Sequence, residues 1–253
     1  MKVCNLCKEE KKLIDTSHII SDFLHKELYD DNHRLRKFHP SDLKKENPKF
    51  ETPPSASYEG GLLCNKCDNE TIGNYETYIS NVLKDNLSKK NKLEFNKVQN
   101  IHGIKVLEIA NLNYNKTKLF LLSILWRAHI STKKEFTSVN LGPYAEKIRL
   151  QILNGIASDE DDLIIIIFSF EKAGGFSTFI GSPMRHKIEH ATYYSILILG
   201  YVILFHLKEN KMSKEMDEFK LKSDGNLAIW ELPENLVSKF VLKYTGVINS
   251  NEE

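Results

Sequence analysis

Two short stretches, Cys4-Asn5-Leu6-Cys7 and Cys64-Asn65-Lys66-Cys67, decide the fold, because they hold all four cysteines of the chain. A gap of two residues lets both sulfurs of a pair bind one ion at about 2.3 Å, and two pairs complete the tetrahedral shell of a structural zinc site. Disulfides would need an oxidising compartment, and a redox CxxC motif usually occurs singly beside a strand and a helix. The spacing therefore predicts one Zn²⁺ bound by Cys4, Cys7, Cys64 and Cys67.

The composition of the 253-residue chain is that of a folded protein without bulk charge. Its 35 Lys and Arg residues nearly balance 34 Asp and Glu residues, for a net charge of +1. This balance excludes a protein that binds polyanions through its overall charge, so a nucleic-acid contact would need a local patch. Hydrophobic residues at 41% exclude wholesale disorder. The first residues, MKVCNLCKEEKKLI, lack an apolar signal segment, and we expect a reducing cytoplasm.

The residues after the first cysteine pair predict a strand, and those after the second pair predict a helix. Residues 13–20, LIDTSHII, form a β-rich apolar run that carries His18. From Thr71 to about Leu83 the apolar residues recur at helical spacing. Strand, excursion, cysteine turn and helix together predict a ββα unit over residues 1–85 that zinc clamps.

These motifs resemble the HNH endonuclease family, specifically the members whose treble-clef-like ββα-metal fold is stapled by two CxxC pairs. The resemblance covers about residues 4–76, through CNLC, the SHII stretch and GLLCNKC. It implies that His18 is the general base that activates water against a phosphodiester. The chain has Ser17 where the family usually has an Asp metal ligand, and Asp68 where it usually has a His ligand. Gly60 and Gly61 lie where the family usually has an Asn.

The resemblance also implies hydrolysis assisted by one Mg²⁺ or Mn²⁺ ion. Asp68 is the first candidate ligand of that ion because hard cations prefer carboxylate oxygen, and Asp15 and Glu70 are further candidates. Two other interpretations stay open at this point. His18 could bond backbone within the zinc module, and Asp68 could cap the following helix.

The polar excursion 21–57 mixes basic and acidic residues, which favours a solvated loop. Its basic residues, with Phe38 and Phe50, could instead contact a nucleic-acid backbone. The Asn- and Lys-rich residues 86–100 are predicted to form a linker, although their lysines could also contact phosphates.

Residues 101–253 are predicted to form a mainly helical α+β domain. Residues 118–130, KLFLLSILWRAHI, predict a buried helix in which Arg127 and His129 need partners. A salt bridge to a carboxylate is the favoured explanation for Arg127, and a ligand-facing arginine is the alternative. The pattern predicts further helices over 142–156, 188–207 and 234–244, and strands over 101–109, 163–170, 176–180 and 226–232. The apolar run 188–207 approaches membrane-spanning length, but a buried central helix is favoured.

The predicted fold class is therefore α+β, with a zinc-bound HNH-like module followed by a mainly helical α+β domain. The leading function is a metal-dependent endonuclease that acts on DNA in preference to RNA, and the resemblance suggests bacterial defence against phage. The competing class is a non-catalytic zinc module that binds nucleic acid or a partner protein, and a homodimer stays open. A third class is a sensor whose second domain binds a ligand and gates the first. We expect no membrane partner.

Overall fold

The fold joins a cysteine-bearing N-terminal part to three α-helices and a seven-stranded sheet. The computed structural model describes residues 1–37, 51–84, 87, 92–99, 103–170, 179–188, 191–207 and 217–232. The statements below concern these residues.

Two short antiparallel strand pairs build the N-terminal part. Strand β1 (Lys2–Val3) pairs with β2 (Glu10–Lys11), so the first cysteine pair lies in the loop of this hairpin. Strand β3 (Ser17–His18) pairs with β4 (Tyr58–Glu59), which opposes His18 and Tyr58. A 3₁₀-helix covers Asp22–Leu28 within the excursion. The predicted strand at His18 is thus confirmed.

A helix follows the second cysteine pair, as the apolar spacing predicts. It begins as a π-helix over Lys66–Ile72 and continues as α1 over Gly73–Leu83. Helix α1 packs against the next helix, α2 (Tyr114–Ile130). The side chain of Asn113 caps α2 by accepting a hydrogen bond from the Lys116 amide at 3.0 Å. Helix α2 is buried on most sides, which is why its residues are apolar nearly all round. The predicted buried helix is therefore confirmed.

Helix α3 (Tyr144–Asn154) packs against α2 and confirms the second predicted helix of this region. It ends at Gly155, which adopts a left-handed conformation with φ of 70°. Glycine adopts this conformation without the strain that a Cβ would cause, as is common just after a helix.

The large sheet has the order β5-β6-β11-β7-β10-β9-β8. Neighbouring strands are antiparallel except for β11 and β7, which run parallel. The predicted strands near residues 101–109, 163–170 and 226–232 are confirmed as β6, β7 and β11. The strands are β5 (Glu94–Gln99), β6 (Lys105–Ala110), β7 (Ile164–Ser169), β8 (Met184–Ile188), β9 (Ala191–Ile198), β10 (Tyr201–His206) and β11 (Leu227–Glu231).

The prediction of a mainly helical second domain is wrong. Residues 188–207, predicted as one central helix, form strands β9 and β10 joined by Leu199 and Gly200. Both turn residues have positive φ, 50° and 83°, as a two-residue hairpin turn requires. Strands covered on both faces are apolar throughout, so their hydrophobicity resembles that of a buried helix.

Two further predictions need correction. Residues 94–99, part of the predicted linker, form the edge strand β5, whose side chains are mostly exposed and therefore polar. Strand β7 lies between β10 and β11, and Ile180, at the end of its predicted hairpin partner, pairs with Ile198 of β9 instead. Residues 171–178 and the predicted helix 234–244 lie outside the described residues.

One hydrophobic core runs from the cysteine turns through the helices to the sheet. It includes Leu6 and Leu63 beside the cysteines, Trp126 of α2, Ile148 of α3 and Ile165 of β7. None of the helices described is both long enough and apolar enough to cross a bilayer.

Candidate metal centre and the site beside it

The four cysteines form a group that could hold one metal ion. Their sulfur atoms all lie within 4.8 Å of one another. A tetrahedral site with metal–sulfur bonds of about 2.3 Å would place its sulfurs about 3.8 Å apart. Cys4, Cys64 and Cys67 are buried and Cys7 is half-buried. The geometry and the donor type both fit a closed structural zinc site.

Backbone hydrogen bonds position the two cysteine turns against each other. In the first turn, the Lys8 amide donates to the Cys4 carbonyl at 2.9 Å. Across the turns, the Asn5 amide and its Nδ2 both donate to the Leu62 carbonyl at 3.0 Å. The Cys64 amide donates to Cys4 Sγ at 3.3 Å. These hydrogen bonds join the two turns over a separation of about 60 residues in the sequence.

Electrostatics favour one thiolate before any metal binds. Burial alone would raise the pKa of Cys4, but hydrogen bonds from the backbone at Cys7, Cys64 and Leu6 outweigh it and lower the pKa to about 7. Burial raises the pKa of Cys67 far above its ordinary value. The neighbouring cysteines raise this pKa further, because they disfavour a second negative charge. A metal ion would have to displace the protons of such thiols, so binding would release protons.

His18 lies on strand β3 with its ring partly exposed. The side chain is 29% exposed, and Nε2 lies 3.8 Å from Oδ1 of Asp22. The ring meets the Tyr58 ring edge-on, with centroids 6.0 Å apart. Among the described residues, the ring contacts are those to Asp22 and Tyr58, so the ring is partly open to solvent.

Asp68 faces the strand that carries His18. It lies inside the π-helix, and its Oδ1 accepts a hydrogen bond from Ser17 Oγ at 2.6 Å. Burial raises the pKa of Asp68, although the Ser17 hydroxyl and the charge of Arg127 act in the opposite direction. Because its carboxylate bonds Ser17 and no helix amide, the interpretation of Asp68 as an N-cap is wrong.

A buried arginine underlies the site. Arg127 of α2 has a side chain only 2% exposed, and its Nη1 donates to the His18 carbonyl at 2.6 Å. Its Nη2 donates to Glu76 Oε1 at 2.9 Å and to Ser21 Oγ at 3.2 Å. Ser21 Oγ in turn donates to Glu76 Oε1 at 2.6 Å. The predicted salt bridge of Arg127 is confirmed, and its partner is Glu76.

A second cation site would have a sparser set of donors. Among the described residues, the cysteines are the only group of three or more His, Cys, Asp or Glu ligands close enough to share an ion. Asp15 and Glu70, the other candidates, are exposed, and no hydrogen bond or ion pair joins either of them to His18 or Asp68. Mg²⁺ often keeps several waters and takes only one or two protein carboxylates. Of the predicted ligands, Asp68 is the one that a hydrogen bond joins to the strand of His18.

The sequence-based prediction overlooked Glu76 and Ser21. A signal existed for Glu76, because it lies four residues after Ile72 and therefore on the core face of the helix. A carboxylate on an apolar face needs a buried partner, and Arg127 lay unpaired on another apolar helix. Ser21 has no comparable signal. Phe38 and Phe50 lie outside the described residues.

Comparison of the chain with protein-family models, with curated proteins and with solved structures finds no match.

Proposed function

We propose that this protein is a metal-dependent, HNH-like endonuclease that hydrolyses phosphodiester bonds in DNA. The supporting observation is the position of His18, whose partly exposed ring lies on the strand that Ser17 joins to Asp68, the residue after Cys67. The proposal takes the ion of the four-cysteine group as zinc, because four thiolates in a closed tetrahedral shell suit Zn²⁺.

The side chains around His18 suit general-base chemistry. The imidazole would take a proton from the attacking water, a role that typically contributes 10²–10⁴-fold to a rate. The Asp22 carboxylate, 3.8 Å from Nε2, would stabilise the imidazolium that forms. Lys133 lies 5.8 Å from the centre of the Tyr58 ring and adds a cation near the histidine. A Mg²⁺ or Mn²⁺ ion held by Asp68 would supply neutralisation of charge on the phosphate.

The test is cleavage of supercoiled plasmid by the zinc-loaded full chain with Mg²⁺ or Mn²⁺. His18→Ala should lower the rate by at least about 100-fold, because it removes the general base. His186→Ala is the control, since His186 lies on strand β8 of the large sheet and its Nε2 lies 2.7 Å from Ser195 Oγ. Asp68→Asn should raise the Mg²⁺ concentration needed for half-maximal rate. Equal rates for His18→Ala and the unaltered chain would refute the assignment of His18.

A second candidate function is a non-catalytic module that binds DNA or a partner protein. Two carboxylates near the strand of His18 already have partners, since Asp68 accepts from Ser17 and Glu76 accepts from Arg127. These partners compete with a catalytic cation and therefore favour this candidate. This candidate predicts that DNA shifts in a gel and stays uncut with either metal. For the first candidate, the role suggested by the resemblance is defence in the bacterial cytoplasm. Expression should then lower phage plaque counts, and His18→Ala should restore them.

A further inference from the structure

A groove of about 540 Å³ opens beside the cysteine turns. Its lining comes from two parts of the chain. Lys2 and Lys11 belong to the β1–β2 hairpin and Lys12 follows it, whereas Gly60 and Gly61 follow strand β4. None of these residues has a part in the metal centre or in the His18 site described above.

The charge of the groove is locally positive. Three lysines line it against one carboxylate, that of Asp15. Lys11 already pairs with Glu9 at 2.6 Å. Lys2 and Lys12 are exposed, and their ammonium groups form no ion pair with any residue the structure describes. In a chain of net charge +1, two ammonium groups without partners in one groove form a local site for an anion.

The backbone geometry requires glycine at both positions of this wall of the groove. A Cβ at Gly60 would lie 2.6 Å from the Asp15 carbonyl oxygen, so a larger residue does not fit there. Gly61 has φ of +76°, where a side chain would be strained. Two adjacent positions therefore carry no side chain along this part of the groove.

The groove lies close to His18 along the strand pair. Gly60 is two residues beyond Tyr58, the strand partner of His18, which is about 7 Å at the rise of a β-strand. One strand of duplex DNA advances about 3.4 Å per nucleotide. This rise is measured along the duplex axis, so a DNA strand that lies along the strand pair would pass from the groove to His18 within a few nucleotides.

We propose that this groove binds the phosphodiester backbone of duplex DNA within a few nucleotides of the bond that His18 attacks. Lys2 and Lys12 neutralise phosphates. Lys11 stays paired with Glu9 and adds to the positive potential of the groove. This assignment rests on the proposed function, since it names where that substrate is held. The groove supplies affinity and position, and it takes no part in the chemical step.

The test measures binding of a fluorescent 20-base-pair duplex by anisotropy, with His18→Ala present throughout so that the duplex stays intact. The variant Lys2→Gln/Lys11→Gln/Lys12→Gln is compared with Lys97→Gln/Lys187→Gln/Lys222→Gln, which removes the same charge from the large-sheet region. Loss of two phosphate contacts should reduce the slope of log K against log salt by about 1.8. The ratio of the two duplex affinities, without and with the groove substitutions, should therefore fall about 12-fold between about 50 and 200 mM salt.

Three results would refute the proposal that this groove binds DNA. These are equal weakening by both triple variants, an unchanged salt slope in the groove variant, or displacement of the duplex by polyglutamate at equal charge concentration. In the catalytically intact chain, the groove variant should raise KM for plasmid and leave kcat unchanged. Cleavage with an unchanged KM would refute the groove and leave the nuclease proposal standing. Groove-dependent binding without any cleavage would support the groove and refute the nuclease.

Discussion

The ion pair between Arg127 and Glu76 should behave as one coupled unit in a double-mutant cycle. Arg127→Met would leave the Glu76 carboxylate without its counterion and the His18 carbonyl without its donor. Removal of one partner of a buried pair costs about 3–5 kcal/mol. Glu76 keeps a side chain 25% exposed, so water can solvate the remaining carboxylate in part. We therefore expect a loss of about 3 kcal/mol from the free energy of unfolding, at the lower end of that range.

Glu76→Gln should lower the free energy of unfolding by a similar amount, for a different reason. The amide oxygen can still accept a hydrogen bond, but the guanidinium would keep its charge in a place only 2% exposed. Arginine cannot relieve this by deprotonation, so we expect about 3 kcal/mol again. The double variant removes both charges together. Its loss should therefore be about 4 kcal/mol, which gives a coupling energy of about 2 kcal/mol.

Urea unfolding of the zinc-loaded chain, followed by circular dichroism, would give these free energies. Glu70→Gln is the matched control, because Glu70 is exposed on the same helical segment and should change stability by less than about 0.5 kcal/mol. If the double variant costs the sum of the single variants within about 0.5 kcal/mol, the two residues are not coupled. Arg127 would then stabilise the fold through the carbonyls alone.

Two further outcomes are expected. Elemental analysis should find about one Zn²⁺ per chain, and a strong chelator or Cys64→Ser should unfold the protein, because metal binding contributes folding free energy; a metal-free chain with an unchanged melting temperature would contradict this. Burial opposes ionisation of Glu135, but hydrogen bonds from Lys37 and Ser57 lower its pKa from 4.5 to about 2. Its stabilising effect is therefore fully present above about pH 4.5 and is lost as pH falls toward about 2. The stability difference between the unaltered chain and Glu135→Gln should be about 1–2 kcal/mol at pH 6, after allowance for the partly exposed Lys37, and shrink to near zero by about pH 2; a constant difference would contradict the ion pair.

Local chemistry made part of the fold predictable. The cysteine spacing fixes a metal geometry whatever the intervening chain does, so the group formed by Cys4, Cys7, Cys64 and Cys67 could be predicted. The end of α3 at Gly155 was equally readable, because few residues tolerate a left-handed conformation. Both signals depend on a few neighbouring residues.

The remaining features depend on tertiary context. Strands β9 and β10 have side chains buried on both faces of the sheet, which removes the alternation that marks a strand. Their turn uses Leu199 with Gly200 in place of the usual Asn-Gly or Asp-Gly pair, so the turn signal was also weak. At the site, the partner of Arg127 lies 51 residues away in sequence, and only the packing of α1 on α2 brings it there.

Helix α3 also holds the first cysteine turn directly. The guanidinium of Arg149 donates a hydrogen bond to the carbonyl of Leu6, between Cys4 and Cys7, and is itself paired with Glu146 at 2.6 Å. Stripping the ion would free this loop to move, and the arginine would lose its acceptor. Amide deuterium uptake in α3 should therefore report metal occupancy, although the helix contributes no ligand.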